Sequence, residues 1–280
     1  MSIHGRLSVA DIKLKSLAEL QVMRESGRQL ASVFRYLDTQ LELGISTMEI
    51  NDLAERYIVD RLGARPASKG QYGYQYALNT SVNNVVCHGV PAGNQRMKSG
   101  DIVNVDITLE QGGFIADSSK MYLFGDVAPE AKRLVNVTYD AMWAGIREVK
   151  PGARLGDVGH AIQQYAERHG YTIVREYCGH GIGREMHEDP QVLHYGQRGR
   201  GLVLEEGMTF TIEPMVNQGR ARVKTKKDGW TVVTSDKKLS AQWEHTIAVT
   251  ADAYEVLTLR DEECELAAES SEEAELYVSE

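Results

Sequence analysis

Apolar residues recur at helical spacing twice near the start of the chain. Ser16 and Glu19 form a capping-box pattern, and Met23, Leu30, Phe34, Leu37 and Leu41 follow on one face until Gly44. Ser46 with Glu49 repeats the signal, and Ile50, Leu53, Ala54, Tyr57 and Ile58 give a second apolar face ending at Gly63. The spacing predicts a long amphipathic helix followed by a shorter one. A similar pair is predicted past the middle. Pro129 opens a helix carrying Leu134, Met142 and Ile146, Pro151-Gly152 breaks it, and Val158, Ile162 and Tyr165 mark a shorter helix to Gly170. Gly44 and Gly152, Ile50 and Val158, and Tyr57 and Tyr165 are each 108 positions apart. Strand-like segments follow both pairs, so the pattern predicts two related α+β halves around one cleft.

Between the helix pairs the period changes to 2. GDIVNVDITLEQGGFIADSSKMYLFG reads as strand, Gly-Gly turn and strand, with Val103, Val105 and Ile107 on one face and Asn104, Asp106 and Thr108 on the other. A hairpin symmetric about the point between Gln111 and Gly112 sets Asp106 directly opposite Asp117. Opposed Cβ atoms lie about 4.5 to 5.5 Å apart, so two carboxylates there repel unless a cation intervenes. The second half offers TFTIEPMV and SAQWEHTIAV around an Asp228-Gly229 turn, a strong hairpin dipeptide, and Glu213 and Glu244 are equidistant from it. Both lie far from the turn, where a slip of one residue would reverse the face of either side chain.

Composition adds bounds. The 280 residues, 42% of them hydrophobic, suffice for a substantial core in one large or two small domains. The opening residues lack the apolar core of a secretory signal, no stretch offers about 18 uncharged apolar residues for a membrane span, and the three cysteines are too few for a disulfide framework. A cytoplasmic protein is expected. The net charge of -9 belongs to the end of the chain, since residues 261–280 hold nine acids and no Lys or Arg while the remainder balances. That end is expected to be a mobile, solvated tail, and nothing in the main body points to nucleic-acid or membrane binding.

Histidines complete the candidate chemistry. YCGHGIGREMHEDP sets His180 and His187 in a Gly-rich segment where sharp turns and close backbone approach are easy. Imidazole beside carboxylates suits Zn, Co, Fe or Mn, whereas an all-oxygen site favours Mg or Ca. His88 follows an apolar strand-like run and stands next to Cys87. Cys87-His88 and Cys178-x-His180 also leave open a thiolate zinc site or a Cys-His nucleophilic pair, although neither has the paired short spacing of structural zinc knuckles.

The ordered set VCHGVP, IVNVDIT, ADSSKM, CGHGIGREMHEDP, TIEPMV and AQWEHTIAV, spread between about residues 10 and 258, resembles the type I methionine aminopeptidases, a branch of the metal-dependent pita-bread hydrolases. The resemblance implies a pseudo-twofold α+β fold, an inner antiparallel sheet with outer helix pairs. It implies one catalytic domain over 1–260, with halves of roughly 10–125 and 126–258. It implies that Asp106, Asp117, His180, Glu213 and Glu244 hold two divalent cations, with Asp117 and Glu244 bridging them, and that Glu213 moves the water proton. His88 and His187 match two substrate-contacting histidines that stabilise the developing oxyanion, and Tyr74 and Trp230 match walls of a methionine pocket. Gln71 and Met186 stand where an aromatic is common, and Asn79 where Cys is expected, so the first-residue preference departs from the pattern. Main-chain oxygens near Asn83, Val85 and Ser240 are where the family often holds a monovalent cation. Expected partners are N-terminal segments of peptides and nascent proteins, with transient ribosome contact, and a monomer is expected. Two alternatives share the fold: a prolidase-like or aminopeptidase P-like peptidase, and a peptide-binding protein without catalysis.

Overall fold

In the computed structural model, residues 12–264 are described. Helix α1 spans Leu17–Asp38 and α2 Thr47–Arg56, each opened by the capping box expected from Ser16/Glu19 and Ser46/Glu49. A π-helical turn, Tyr57–Arg61, extends α2 towards Gly63. The second pair is α3, Pro129–Ile146, and α4, Leu155–Arg168. Among the described residues, no helix is long and apolar enough to cross a membrane. The repeat read at an offset of 108 has structural counterparts. Gly44 and Gly152 both take positive φ after the first helix of their pairs, at 90° and 83°, and Ile50 and Val158 are both fully buried.

Each helix pair covers its own sheet. Strand β1 (Leu78–Val82) pairs antiparallel with β2 (Ile102–Gln111), which pairs on its other side with β3 (Phe114–Leu123). Val103, Val105 and Ile107 point from β2 into a core with Leu30, Phe34 and Leu37 of α1 and Ile50 and Ala54 of α2. The second sheet contains β4 (Gly179–Gly181), β5 (Glu188–Val192), β6 (Thr209–Ile212) and β9 (His245–Val249), and a smaller one pairs β7 (Met215–Asn217) with β8 (Ser240–Gln242). Leu134, Met142 and Ile146 of α3 and Val158 and Ile162 of α4 pack on Phe210, Ile212 and Val216. Each such side chain contributes about 1.5 to 3 kcal/mol by leaving water, so the apolar faces fix where the helices lie and leave the opposite strand faces to line a cleft.

The first hairpin corrects the expected register. Gln111 lies opposite Phe114, so Asp106 faces Ser119 and Asp117 faces Thr108. Gly112 and Gly113 both have positive φ, at 62° and 78°, and together form the two-residue loop, which moves the symmetry axis to the bond between them. The two aspartates are therefore diagonal rather than direct neighbours. A slip of two residues preserves the face, so both still point into the cleft. The second hairpin keeps the expected register from end to end. Val223 pairs with Thr234, Met215 with Gln242 and His245 with Ile212, all centred between Asp228 and Gly229. Glu213 and Glu244 thus stand opposite each other in the gap between these ladders.

The tail expected from residue 261 starts too early. Residues 261–264 are helical, Arg260 and Glu263 are buried, and Glu263 accepts from the Arg260 guanidinium at 2.6 Å. Local composition predicted solvation, but a carboxylate that meets a buried guanidinium can be buried with it. The rest of the acidic segment, 265–280, lies outside the described residues.

Candidate metal centre

One cleft of about 530 Å³ is lined by all twelve candidate side chains: Asp106, Asp117, His180, Glu213 and Glu244, His88 and His187, and Gln71, Tyr74, Asn79, Met186 and Trp230. The strands explain the convergence. Asp106 and Asp117 project from the cleft face of β2 and β3, Glu213 follows β6, Glu244 precedes β9, and His180 is the middle residue of β4. Ligand atoms of Asp117, His180 and Glu244 lie within 4.8 Å of one another.

Burial makes these carboxylates poor anions without a counter-charge. The Asp106 carboxyl is pushed up to about 7 by desolvation, opposed by a hydrogen bond from the Asn79 side chain, its partner across the β1–β2 ladder. Glu213 is raised to about 8 by desolvation, opposed by the Thr211 hydroxyl, which donates to Oε1 at 2.7 Å, and raised further by the Asp106 charge. Asp117 and Glu244 are held well above the usual carboxylate range by burial and then by the other carboxylates. His180 is driven down to about 3, first by burial and then by His187. Neutral His180 donates Nδ1–H to the Gly181 carbonyl at 3.0 Å, which leaves the Nε2 lone pair 3.5 Å from Glu213 Oε1 and 3.8 Å from Asp117 Oδ2.

A lone pair aimed at carboxylate oxygens is unfavourable unless a cation or proton lies between them. The Asp117 Oδ1 atom is buried and has no hydrogen-bond partner. These two features, with the mixed nitrogen and oxygen donor set, fit a divalent transition metal. The thiols fit poorly as free nucleophiles, since burial raises Cys87 well above its ordinary value and Cys178 to about 11, and among the described residues neither joins the cluster of ligand atoms of Asp117, His180 and Glu244.

The remaining candidates form the walls. His88, half-buried, packs edge-on against Tyr177 at 5.5 Å, and His187, at the exposed mouth, lies 4.5 Å from the His180 ring between centroids. Desolvation lowers both, so both are neutral N–H donors near pH 7. Tyr74 is buried, stacks obliquely on Trp230 at 4.9 Å and donates its hydroxyl to the Leu78 carbonyl at 3.0 Å. Asp228 accepts from the Trp230 and Thr231 amides, which fixes the turn that delivers the indole.

Other residues in and behind the cleft wall were given no role by the sequence alone. Tyr72, exposed beside His187 at 6.3 Å, carried no motif that marked it, and Tyr177, though it opens the Gly-rich histidine segment, had no assigned role. Thr108, already placed on the Asp106 face of its strand, lines the cleft, and Thr211, two residues before Glu213, supports that carboxyl from β6. His194 was not readable, because its link is to a main-chain atom: Nε2 accepts from the Glu213 amide at 3.1 Å.

The chain is similar to known proteins in sequence and fold. A family model for metallopeptidase family M24 matches residues 21–251. A methionine aminopeptidase of Rickettsia prowazekii is 48% identical over 249 residues, 89% of this chain and 95% of the relative. The crystal structure of methionine aminopeptidase from that organism aligns with a TM-score of 0.87 over 89% of this chain and all of that one. The one from Thermotoga maritima, 42% identical, gives 0.86 over 88% and 99%. A prolidase from Pyrococcus horikoshii, 21% identical, shares the fold with a TM-score of 0.70 over 90% of this chain and 65% of its own. The fold is the pita-bread fold, and with these identities over nearly the whole length the chain belongs to metallopeptidase family M24, among the methionine aminopeptidases of bacterial type.

Proposed function

We propose that this chain removes the N-terminal methionine from peptides and nascent proteins, preferably before a small second residue, using two divalent cations held by Asp106, Asp117, His180, Glu213 and Glu244. The observation that carries this is the convergence of four desolvated carboxylates and a neutral imidazole lone pair in one cleft with an aromatic wall. Divalent cations bound there would supply Lewis acidity that lowers the pKa of water towards neutral. Co, Mn, Fe and Zn all suit the donor set.

The chain's own residues then have separable tasks. Glu213, hydrogen-bonded through Oε1 to Thr211, takes the proton of the attacking water and returns it to the leaving amine. His187 and His88, neutral and facing the cleft, donate to the carbonyl oxygen as charge develops on it. A free N-terminal amine held at the metal centre would confine cleavage to the first residue. Tyr74, Trp230 and Met186 give the first side chain an apolar, polarisable surface suited to a thioether, while Gln71 and Asn79 add polar atoms to it.

The pseudo-twofold unit is read as one catalytic domain to about residue 260, with halves near 10–125 and 126–258. A monovalent cation bound by main-chain oxygens near Asn83, Val85 and Ser240 belongs to the same proposal, supported by the adjacency of Asn83 and Ser240, whose amide donates to the Asn83 carbonyl at 2.9 Å. So do a monomeric state and transient contact with the ribosome. The test is a tripeptide panel varying the first two residues, run with Mn, Fe, Co and Zn in turn. Met-Ala-Ser is cleaved and Xaa-Pro peptides are not, and Glu213→Gln lowers kcat by about 100-fold or more. Turnover of Glu213→Gln within twofold of wild type sinks the proton-transfer role.

A further inference from the structure

Two of the carboxylates that would hold the cations come from different halves of the fold, Asp117 on β3 and Glu244 just before β9, and the seam between those strands is not a regular ladder. Its main-chain pairing is the single bridge of Ser119 with Glu244, with N···O distances of 3.4 and 3.3 Å. Side chains supply the rest. Ser118 Oγ donates to the Glu244 carbonyl at 2.6 Å, and Thr246 Oγ1 accepts from the Asp117 amide at 3.2 Å and donates to its carbonyl at 2.8 Å.

Arg260 closes this seam from behind. It is 2% exposed and lies between the Phe34 and Trp243 rings, at 5.7 and 5.2 Å. One terminal nitrogen donates to Ser118 Oγ at 3.2 Å and the Ser119 carbonyl at 3.3 Å. The other donates to Glu263 Oε1 at 2.6 Å and His245 Nε2 at 3.2 Å. His245 directly follows Glu244 and reaches Thr258 Oγ1 through Nδ1 at 2.9 Å, and Thr258 Oγ1 also accepts the Thr246 amide at 3.1 Å. Of the residues that join the two strands behind the carboxylates, Ser118 and Ser119 thus contact Arg260 directly, Glu244 is linked to it through Ser118, and Thr246 through His245 and Thr258. No other cationic side chain makes a hydrogen bond or ion pair with these seam residues among the described residues.

We propose that Arg260 is a positioning residue: its planar fork sets the separation of the two strands, and hence of Asp117 from Glu244, so that the segment ending the catalytic unit determines how well the cleft holds divalent cations. Two parallel donor pairs are needed, one towards β3 and one towards His245 and Glu263, and a lysine ammonium at the end of a flexible stem cannot present both. This rests on the metal-centre reading above, whose failure must show separately.

The experiment is calorimetric titration of the full, metal-stripped chain with Mn²⁺ at one pH. Four proteins are compared: wild type, Arg260→Lys, Asp117→Asn, and Leu134→Ala, which destabilises the core beneath α3 without removing a polar contact of the seam. Arg260→Lys is expected to weaken Mn²⁺ binding by about tenfold, the lower end for residues that support metal ligands, and Leu134→Ala to leave it within twofold. If Arg260→Lys does not fold, Arg260→Gln with Glu263→Gln removes both buried charges and is read by the same criterion. Binding by the Arg260 variant within threefold of wild type overturns the proposal, as does equal weakening in Leu134→Ala, which would make the effect one of general stability. Wild-type binding by Asp117→Asn overturns the metal-centre reading itself.

Discussion

Cation binding in this cleft must displace protons, and the size of that effect follows from the site. With the Asp106 carboxyl held near 7 and Glu213 near 8, both are largely protonated at pH 6 in the metal-free chain, and both must ionise to bind a cation. Moving from pH 8 to pH 6 therefore costs about tenfold in affinity from Asp106 and about fiftyfold from Glu213, or about 500-fold together. Asp117 and Glu244, also raised, act in the same direction, and His180, already neutral, adds nothing in this range. The cluster titrates as a unit, so two to three orders of magnitude is the expected fall. Stability of the metal-free fold runs the other way. These carboxyls hold protons that the unfolded chain has released, so their contribution is most favourable below the ordinary carboxylate value and is lost as pH rises through about 7 to 8. Calorimetric titration with Mn²⁺ at pH 6, 7 and 8, in two buffers of different ionisation enthalpy, measures both affinity and protons released. An affinity that changes less than threefold across that range, with no proton release, would refute the account of the site as a desolvated carboxylate cluster.

Two other outcomes are expected. Gly27→Ala brings a Cβ to 1.9 Å from the Leu257 carbonyl oxygen, a main-chain atom that cannot turn aside, and at about 1 to 3 kcal/mol it lowers Tm by several degrees in a chain of this size; a scanning-calorimetry shift below 1 °C would contradict the packing of α1. Restoring aromatics with Gln71→Phe and Met186→Phe sharpens the first-residue preference, because a filled apolar wall discriminates by about 1 to 3 kcal/mol per methylene. An unchanged ratio of kcat/KM between Met-Ala-Ser and Leu-Ala-Ser would show that these side chains do not form that wall.

Much of this architecture was written in local chemistry. The capping boxes at Ser16 and Ser46 and the apolar faces after them specify helices without help from the rest of the chain, and they form where expected. Period-2 alternation placed Asp106 opposite the apolar face of its strand, and the Asp228-Gly229 turn fixed a register that holds for fifteen residues on either side. Both follow from nearest-neighbour geometry, which sequence carries directly.

Tertiary structure decided what depends on partners distant in the chain. The first hairpin turned on both glycines rather than one, so Asp106 and Asp117 became diagonal neighbours; two adjacent residues able to take positive φ left the choice to the whole strand pair. The acidic end looked solvated because its own composition is, yet Glu263 is buried against Arg260 and His245, and no local rule announces a counter-charge from another element. The separation of Asp117 and Glu244 is set across a seam between halves that the sequence only hinted were related. Residue types fixed which side chains can bind a cation or move a proton, whereas the distances between them, and the desolvation that raises their carboxyls, arise only when two separately patterned halves close on one another.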